Sequence, residues 1–366
     1  MKTETLSCEN FRLFRASLLR WYRRNRRKLP WRETREPYRI WISEVMLQQT
    51  RVSTVIPYFQ NFVQKFPTVE ALAAADLQAV LKSWEGLGYY ARARNLHRAA
   101  QALANGREGK IPDSYAEFRQ LSGVGEYIAA AVLSIAFGEP RAAIDGNVKR
   151  VLARLFLIDA PVNDSASGKI FREAGDRLLD REHPGDFNQA MMELGALICR
   201  PQNPFCRQCP VRKFCGAFAR NRQEVFPFRK PREATPEYHI AVGVVRRDGR
   251  VLITRRAEKG LLGGLWEFPG GKVRKGRETA EQACLREIKE EVNLEVKVGA
   301  RLARVKHAYT HFKIVMEVFL CDYLSGEVVL NGPLDFRWIT VEEIGEYPFP
   351  GANHKFMPQL IKALRS

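Results

Sequence analysis

Up to about residue 200 the apolar positions fall at the three-and-four spacing of helices. Phe11, Phe14, Leu18, Leu19 and Tyr22 mark one face of a helix over 9–25, which should end near Leu29-Pro30. From Pro37 the run Tyr38 to Gln49 reads as a largely buried helix, and further helical pattern covers 52–64, 69–83, 91–104 and 114–120. Later helices fall near 147–157, 168–181 and 187–198. Between these lies the stretch around which the chain is organised, LSGVGEYIAAAVLSIAFGEPRAAIDGN at 121–147. Gly123 and Gly125 bracket a turn, an apolar helix follows and stops at Gly138 and Pro140, and a lone carboxylate, Asp145, comes next. Glycines admit a close neighbour and the amides of a helix start favour anions, so this turn is a candidate grip for a phosphate. The plain alternative is a helix–turn–helix contact followed by a capping Asp.

The pattern changes after Asn221. Pro227, Pro231 and Pro236, with many charges and little periodicity, predict a linker over 221–236. Residues 238–245 then alternate as a strand, Asp248-Gly249 marks a hairpin turn, and 251–253 is its partner. A helix over 279–292, strands over 295–306, 312–322 and 335–339, and a last helix over 354–364 complete an α+β arrangement. The expected fold is therefore multidomain: an all-α domain over 1–220 and an α+β domain over 237–366.

Composition adds a partner. The chain of 366 residues carries a formal net charge of +18, which points to a polyanion. Six cations stand within Arg20 to Lys28. No apolar run is long enough to span a bilayer and the N-terminus lacks the apolar segment of a secretory signal, so a cytoplasmic, reducing setting without membrane contact is expected. Four of seven cysteines, Cys199, Cys206, Cys209 and Cys215, crowd into one loop as C-x6-C-x2-C-x5-C. Four thiolates suit zinc or a [4Fe-4S] cluster, and a continuous loop with a single close pair favours the cluster. Arg200, Arg207, Arg212 and Lys213 are interleaved with them, which makes the loop cationic.

The hairpin, the Asp about twenty residues later and the four-cysteine loop together resemble the helix-hairpin-helix DNA glycosylases of the endonuclease III superfamily. Within these, SEVMLQQT (43–50), EGLGYY (85–90), GVGEY (123–127), IDGNVKRV (144–151) and FNQAMMELGALIC (187–199) look like the MutY family of adenine DNA glycosylases. That resemblance implies removal of adenine mispaired with 8-oxoguanine or guanine in duplex DNA, by a bacterial-type, nucleoid-associated monomer. Tyr127 stands where endonuclease III-like enzymes carry a lysine that forms an imine with the sugar. A phenol cannot do so, and a monofunctional glycosylase is expected.

Glu44, amid Ile40, Trp41, Ile42, Val45, Met46 and Leu47, is the candidate acid, since apolar surroundings raise a carboxyl pKa and adenine needs a proton to leave. Its alternative is a solvent-facing Glu on an amphipathic helix. Asp145 is the candidate anion facing the sugar cation. By resemblance Tyr127 and Asn147 order the site, and Trp31, Arg32, Leu47 and Gln189 line the adenine pocket. Base flipping needs something to prop the stack, and Gln49 and Tyr89 are the candidates. The alternatives there are a helix-end amide and a packed core Tyr.

The C-terminal domain is similar to Nudix hydrolases, which MutY proteins use to recognise 8-oxoguanine. Tyr309, Thr310 and His311 match the family's Phe-Ser-His loop with two conservative changes. Gly270 through Leu294 is close to a complete Nudix box, with one extra residue between Gly271 and Glu278 and Asn293 in place of a glycine. Glu287, Glu290 and Glu291 share a helix face that offers oxygen ligands to Mg2+, so a nucleotide diphosphohydrolase activity is a second reading, against a merely solvated acidic face. An endonuclease III-like lyase and a non-catalytic DNA-binding module remain alternatives.

Overall fold

The periodic segments fold as helices in the computed structural model, which describes residues 8–231 and 234–365. In order these are α1 (Cys8–Asn25), α2 (Pro37–Leu47), α3 (Val52–Lys65), α4 (Val69–Ala74), α5 (Leu77–Ser83), α6 (Ala91–Arg107), α7 (Tyr115–Phe118), α8 (Glu126–Phe137), α9 (Gly146–Phe156), α10 (Gly168–Leu178), α11 (Pro184–Leu197) and α12 (Gly216–Ala219). The single helix expected over 69–83 is broken between α4 and α5, where Asp76 is extended (φ −63°, ψ 137°). Pro184 opens α11 at its first turn, three residues earlier than expected, where the missing N–H costs nothing.

The chain divides into two compact units, one of residues before 74 with 98–231, the other of 74–97 with 234–365. Residues 74–97, read from sequence as part of the helical domain, pack here with the C-terminal residues. Gln78 Nε2 donates to the Gly264 carbonyl at 3.0 Å, Trp266 Nε1 donates to Gln78 Oε1 at 3.0 Å, and Phe349 N donates to Glu85 at 2.7 Å.

In the first unit the apolar faces of α1, α9, α10 and α11 meet in one core that includes Phe14, Leu18, Leu152, Phe171, Phe187 and Leu194. Burying each such side chain contributes ~1.5–3 kcal/mol. In the second unit β1 (Glu237–Arg247), β2 (Arg250–Arg255), β3 (Trp266–Glu267), β4 (Gly270–Lys272), β5 (Glu295–Ala308), β6 (Lys313–Ser325) and β7 (Asp335–Ile339) form one mixed sheet. Its central order is β3-β2-β1-β6-β5, with β1 and β6 parallel (Ala241 beside Glu317). Alternation splits the strands between two cores. Ala241 and Val245 pack with Cys284 and Ile288 of α13 (Ala280–Val292), while Val242 and Val244 pack with Phe356 and with Leu360 of α14 (Met357–Arg365). Thr279 and Gln282 close a capping box at the start of α13, and Asn293 ends it in the left-handed region (φ 59°). Asn tolerates that conformation, so its replacement of the box's glycine leaves the helix stop intact.

Candidate active site

Helix α2 starts firmly because Pro37 occupies its first turn and the Glu36 carboxylate accepts from Tyr38 N and Arg39 N at 2.9 and 2.8 Å. Nearly every residue of α2 is buried, and Glu44 with them at 4% exposure. The solvent-facing alternative for Glu44 is thereby excluded. Burial pushes its carboxyl up to about 7, and the nearby Asp145 charge adds to the rise. The Tyr127 hydroxyl, from the first turn of α8, donates to Glu44 Oε2 at 2.5 Å.

Asp145 is the N-cap of α9. Its Oδ1 accepts from Val148 N at 2.7 Å and its Oδ2 from Asn147 Nδ2 at 3.0 Å. The capping reading is thus correct and complements the functional one, since a helix start favours a carboxylate. Burial still holds Asp145 above the usual Asp value, with those donors and Arg150 opposing the rise. Arg150 fixes this corner: Nη2 donates to Asn147 Oδ1 and to the Gly195 carbonyl, both at 2.8 Å, and Nε donates to the Cys199 carbonyl at 2.8 Å. A Cβ on Gly195 would stand 2.7 Å from that of Asn147, so α11 reaches the site only because this residue is glycine.

Glu44, Asp145, Tyr127 and Asn147 line one cavity of about 740 Å3, together with Trp31, Arg32, Leu47, Gln49 and Gln189. Two carboxyls about a hundred residues apart in sequence therefore share one space. Glu193, one helical turn beyond Gln189, also lines it and escaped the sequence reading. It is buried, it pairs with Arg27 at 2.6 Å and Arg32 at 3.0 Å, and these guanidiniums hold its carboxyl down to about 2 against the opposing pull of burial. The signal that could have found Glu193 is its position on the Gln189 face of α11. Gln49, at the rim, is exposed and has φ 61°, a conformation rare outside glycine that clusters where function imposes strain. In the hairpin Gly123 has φ 78°, and a Cβ added at Gly125 would meet nothing within 4 Å. Among the described residues no packing explains a glycine at 125.

Cys206, Cys209 and Cys215 are each raised above the usual thiol value, chiefly by burial. Burial pushes the Cys209 thiol up to about 12, and the charges of Cys199, Cys215 and Cys206 add to it. Arg154 Nη1 donates to Cys199 Sγ at 3.3 Å. Among the described residues no three His, Cys, Asp or Glu side chains are grouped to hold one metal ion.

Residues 42–174 match the family of HhH-GPD superfamily base excision DNA repair proteins, and residues 241–359 match the NUDIX domain. Human adenine DNA glycosylase is 35% identical over 385 residues, covering 90% of this chain and 70% of the human protein. The chain belongs to the adenine DNA glycosylase family. The adenine DNA glycosylase of Arabidopsis thaliana is 34% identical, over 85% of this chain and 58% of that one. A thermostable thymine-DNA glycosylase superposes with a TM-score of 0.53 at 30% identity, over 58% of this chain and 98% of that one. An endonuclease III trapped on DNA shares the fold at a TM-score of 0.51 and 24% identity, over 59% of this chain and 99% of that one.

In this adenine DNA glycosylase family member the second unit brings Tyr89 and Thr310 together. Their hydroxyls hydrogen-bond to each other, which places the EGLGYY loop against the tip between β5 and β6. Tyr89 is 40% exposed with φ 50°, not a packed core residue. Thr310 and His311 are exposed at the tip, whereas Tyr309 stacks on Phe312 at 4.7 Å and supports it. The acidic face of α13 is occupied by protein. Arg286 donates to Glu287 at 2.8 Å, Glu290 at 2.9 Å and Glu278 at 2.7 Å, while Glu291 accepts from Gly270 N at 3.1 Å. Glu287, Glu290 and Glu291 do not converge as ligands among the described residues.

Proposed function

We propose that this protein excises adenine from duplex DNA where it is mispaired with 8-oxoguanine or guanine, acting as a monofunctional glycosylase. The observation that carries the reading is the pairing, in one cavity, of a buried carboxyl raised to about 7 with a helix-capping carboxylate. Glu44, about half protonated near neutrality, gives its proton to the departing base. The C1′–N9 bond breaks, and the positive charge left on deoxyribose faces the Asp145 carboxylate. Water then adds to C1′ and its proton returns to Glu44. The Tyr127 phenol orients Glu44, and Asn147, fixed by Arg150, orients Asp145. A phenol at position 127 cannot form the imine, which supports a monofunctional glycosylase with at most weak strand cleavage.

Cys199, Cys206, Cys209 and Cys215 would hold a [4Fe-4S] cluster. Burial disfavours the thiolates of Cys206, Cys209 and Cys215, which a cationic centre would stabilise, and one continuous loop with a single close pair of cysteines supports a cluster over zinc. The cluster would shape the cationic loop beside Arg154. Tyr309, Thr310 and His311 are read as the residues that recognise 8-oxoguanine, with Gln49 and Tyr89 as props for the opened stack. The protein is read as a monomer of the cytoplasm.

The test is single-turnover adenine release from duplexes with adenine opposite 8-oxoguanine, guanine or thymine, followed by alkali to cleave abasic sites. Fast release opposite 8-oxoguanine, slower opposite guanine and none opposite thymine is expected, with little cleavage before alkali. No release by a DNA-binding, cluster-loaded preparation would overturn the reading.

A further inference from the structure

A second concavity of about 700 Å3 opens in the first unit between α1 and the loop that joins α10 to α11, and shares no lining residue with the cavity of Glu44. Arg12, Arg15, Arg20, Arg23, Arg24 and Arg181 line it, against two carboxylates, Asp180 and Glu182. Asp180 is partly spent on its own turn, since its Oδ1 accepts from Glu182 N at 3.1 Å and His183 N at 2.9 Å. Arg15 is anchored to the wall through the Leu178 and Arg177 carbonyls at 2.9 and 3.1 Å. Arg12, Arg20, Arg23 and Arg24 are exposed and make no ion pair among the described residues. Neither the acid–anion chemistry nor the hairpin uses them.

We propose that this groove is a second DNA site, which grips the phosphodiester backbone of a duplex other than the one whose adenine enters the cavity. Six arginines against two carboxylates leave the groove strongly cationic, and such a groove is stabilised by a polyanion. The planar fork of arginine matches phosphate oxygens two at a time. Arg12 to Arg23 spans about 16 Å of helix, over which one DNA strand presents about four or five phosphates. The groove offers no apolar floor for a peptide anchor beyond Ala16 and Leu19. A protein that holds one duplex at its site and a second at this groove can pass between DNA segments without full release. The inference rests on the reading of the cavity as a DNA site only for the first duplex.

The experiment loads the holoenzyme on an unlabelled duplex with adenine opposite 8-oxoguanine, at one to one, and titrates a fluorescent undamaged duplex into it. The wild type should capture the second duplex with a steep salt dependence. Combined Arg12→Ala, Arg20→Ala, Arg23→Ala and Arg24→Ala should weaken that capture by about tenfold or more and flatten its salt slope by roughly two to four. The same four positions changed to Lys should keep the wild-type salt slope and lose only the part of the affinity that the bidentate fork supplies, which separates charge from loss of fold. Single-turnover adenine release at saturating enzyme should be unchanged in both variants, so failure here is distinguishable from failure of the glycosylase reading. Absence of second-duplex capture by the wild type, or equal capture by the alanine variant, would overturn the proposal. So would displacement of the second duplex by polyglutamate as effective as displacement by DNA of equal charge, which would assign the groove to an acidic polypeptide.

Discussion

Each unit holds a glutamate that burial raises to about 7, Glu44 on α2 and Glu291 on α13, and their surroundings differ in every other respect. Glu44 opens onto a cavity and accepts a hydrogen bond from the Tyr127 phenol, which leaves the carboxyl proton free to move. Glu291 is bound to the Gly270 amide, and its neighbours Glu287 and Glu290 are bound to Arg286. A shifted proton affinity alone therefore does not make a site. Access and the inventory of partners decide whether a carboxyl can exchange its proton with a substrate or is consumed in holding the fold.

That contrast is broken first by Glu44→Gln. Single-turnover adenine release should fall by on the order of 10²–10⁴, the usual worth of a general acid. The same change should stabilise the protein. A raised carboxyl binds more protons folded than unfolded, so stability declines as pH rises from the ordinary Glu value to about 7. Removing the group should recover about 2–3 kcal/mol at pH 8, read as a higher midpoint in urea.

Glu193 sharpens the comparison from the other side, as a carboxylate in the cavity that is fully engaged. Its depressed value means that the stability it adds is present above the ordinary Glu pKa and is lost as pH falls toward about 2. Glu193→Gln should cost about 2–3 kcal/mol at neutral pH, somewhat less than a fully buried pair because Arg27 is partly exposed. Smaller still, Thr310→Ala should reduce the preference for 8-oxoguanine over guanine by about fivefold, roughly 1 kcal/mol, in competition between the two duplexes. Glu290→Gln in the second unit should leave adenine release within about twofold of wild type. A large loss there would mean that the acidic face participates in the reaction.

The cavity was more legible than its frame. Glu44 could be read as a candidate acid because an unbroken apolar run surrounds it, and Asp145 because it follows a helix stop and precedes a helix start. That they meet is a property of packing, which local periodicity does not encode. Glu193 and Arg150 do not stand out, because each looks in sequence like an ordinary charged position on an amphipathic helix. Gly195 was missed because its reason is the 2.7 Å approach of Asn147 from another helix. The grouping of 74–97 with the second unit was likewise invisible, since the helical pattern there is the same whichever core it packs against. The Nudix box is visible as a motif, but spacing alone does not show that Arg286 engages its acids.

The most direct test of the central claim is the pH dependence of single-turnover adenine release opposite 8-oxoguanine, measured across pH 5 to 9 for the wild type and for Glu44→Gln. For the wild type the rate should fall as pH rises through about 7, as Glu44 loses the proton it must donate. The Glu44→Gln variant should lose the upper limb while keeping a low residual rate. A wild-type profile that stays flat to pH 9, or an upper limb that survives in Glu44→Gln, would contradict the assignment of Glu44 as the acid.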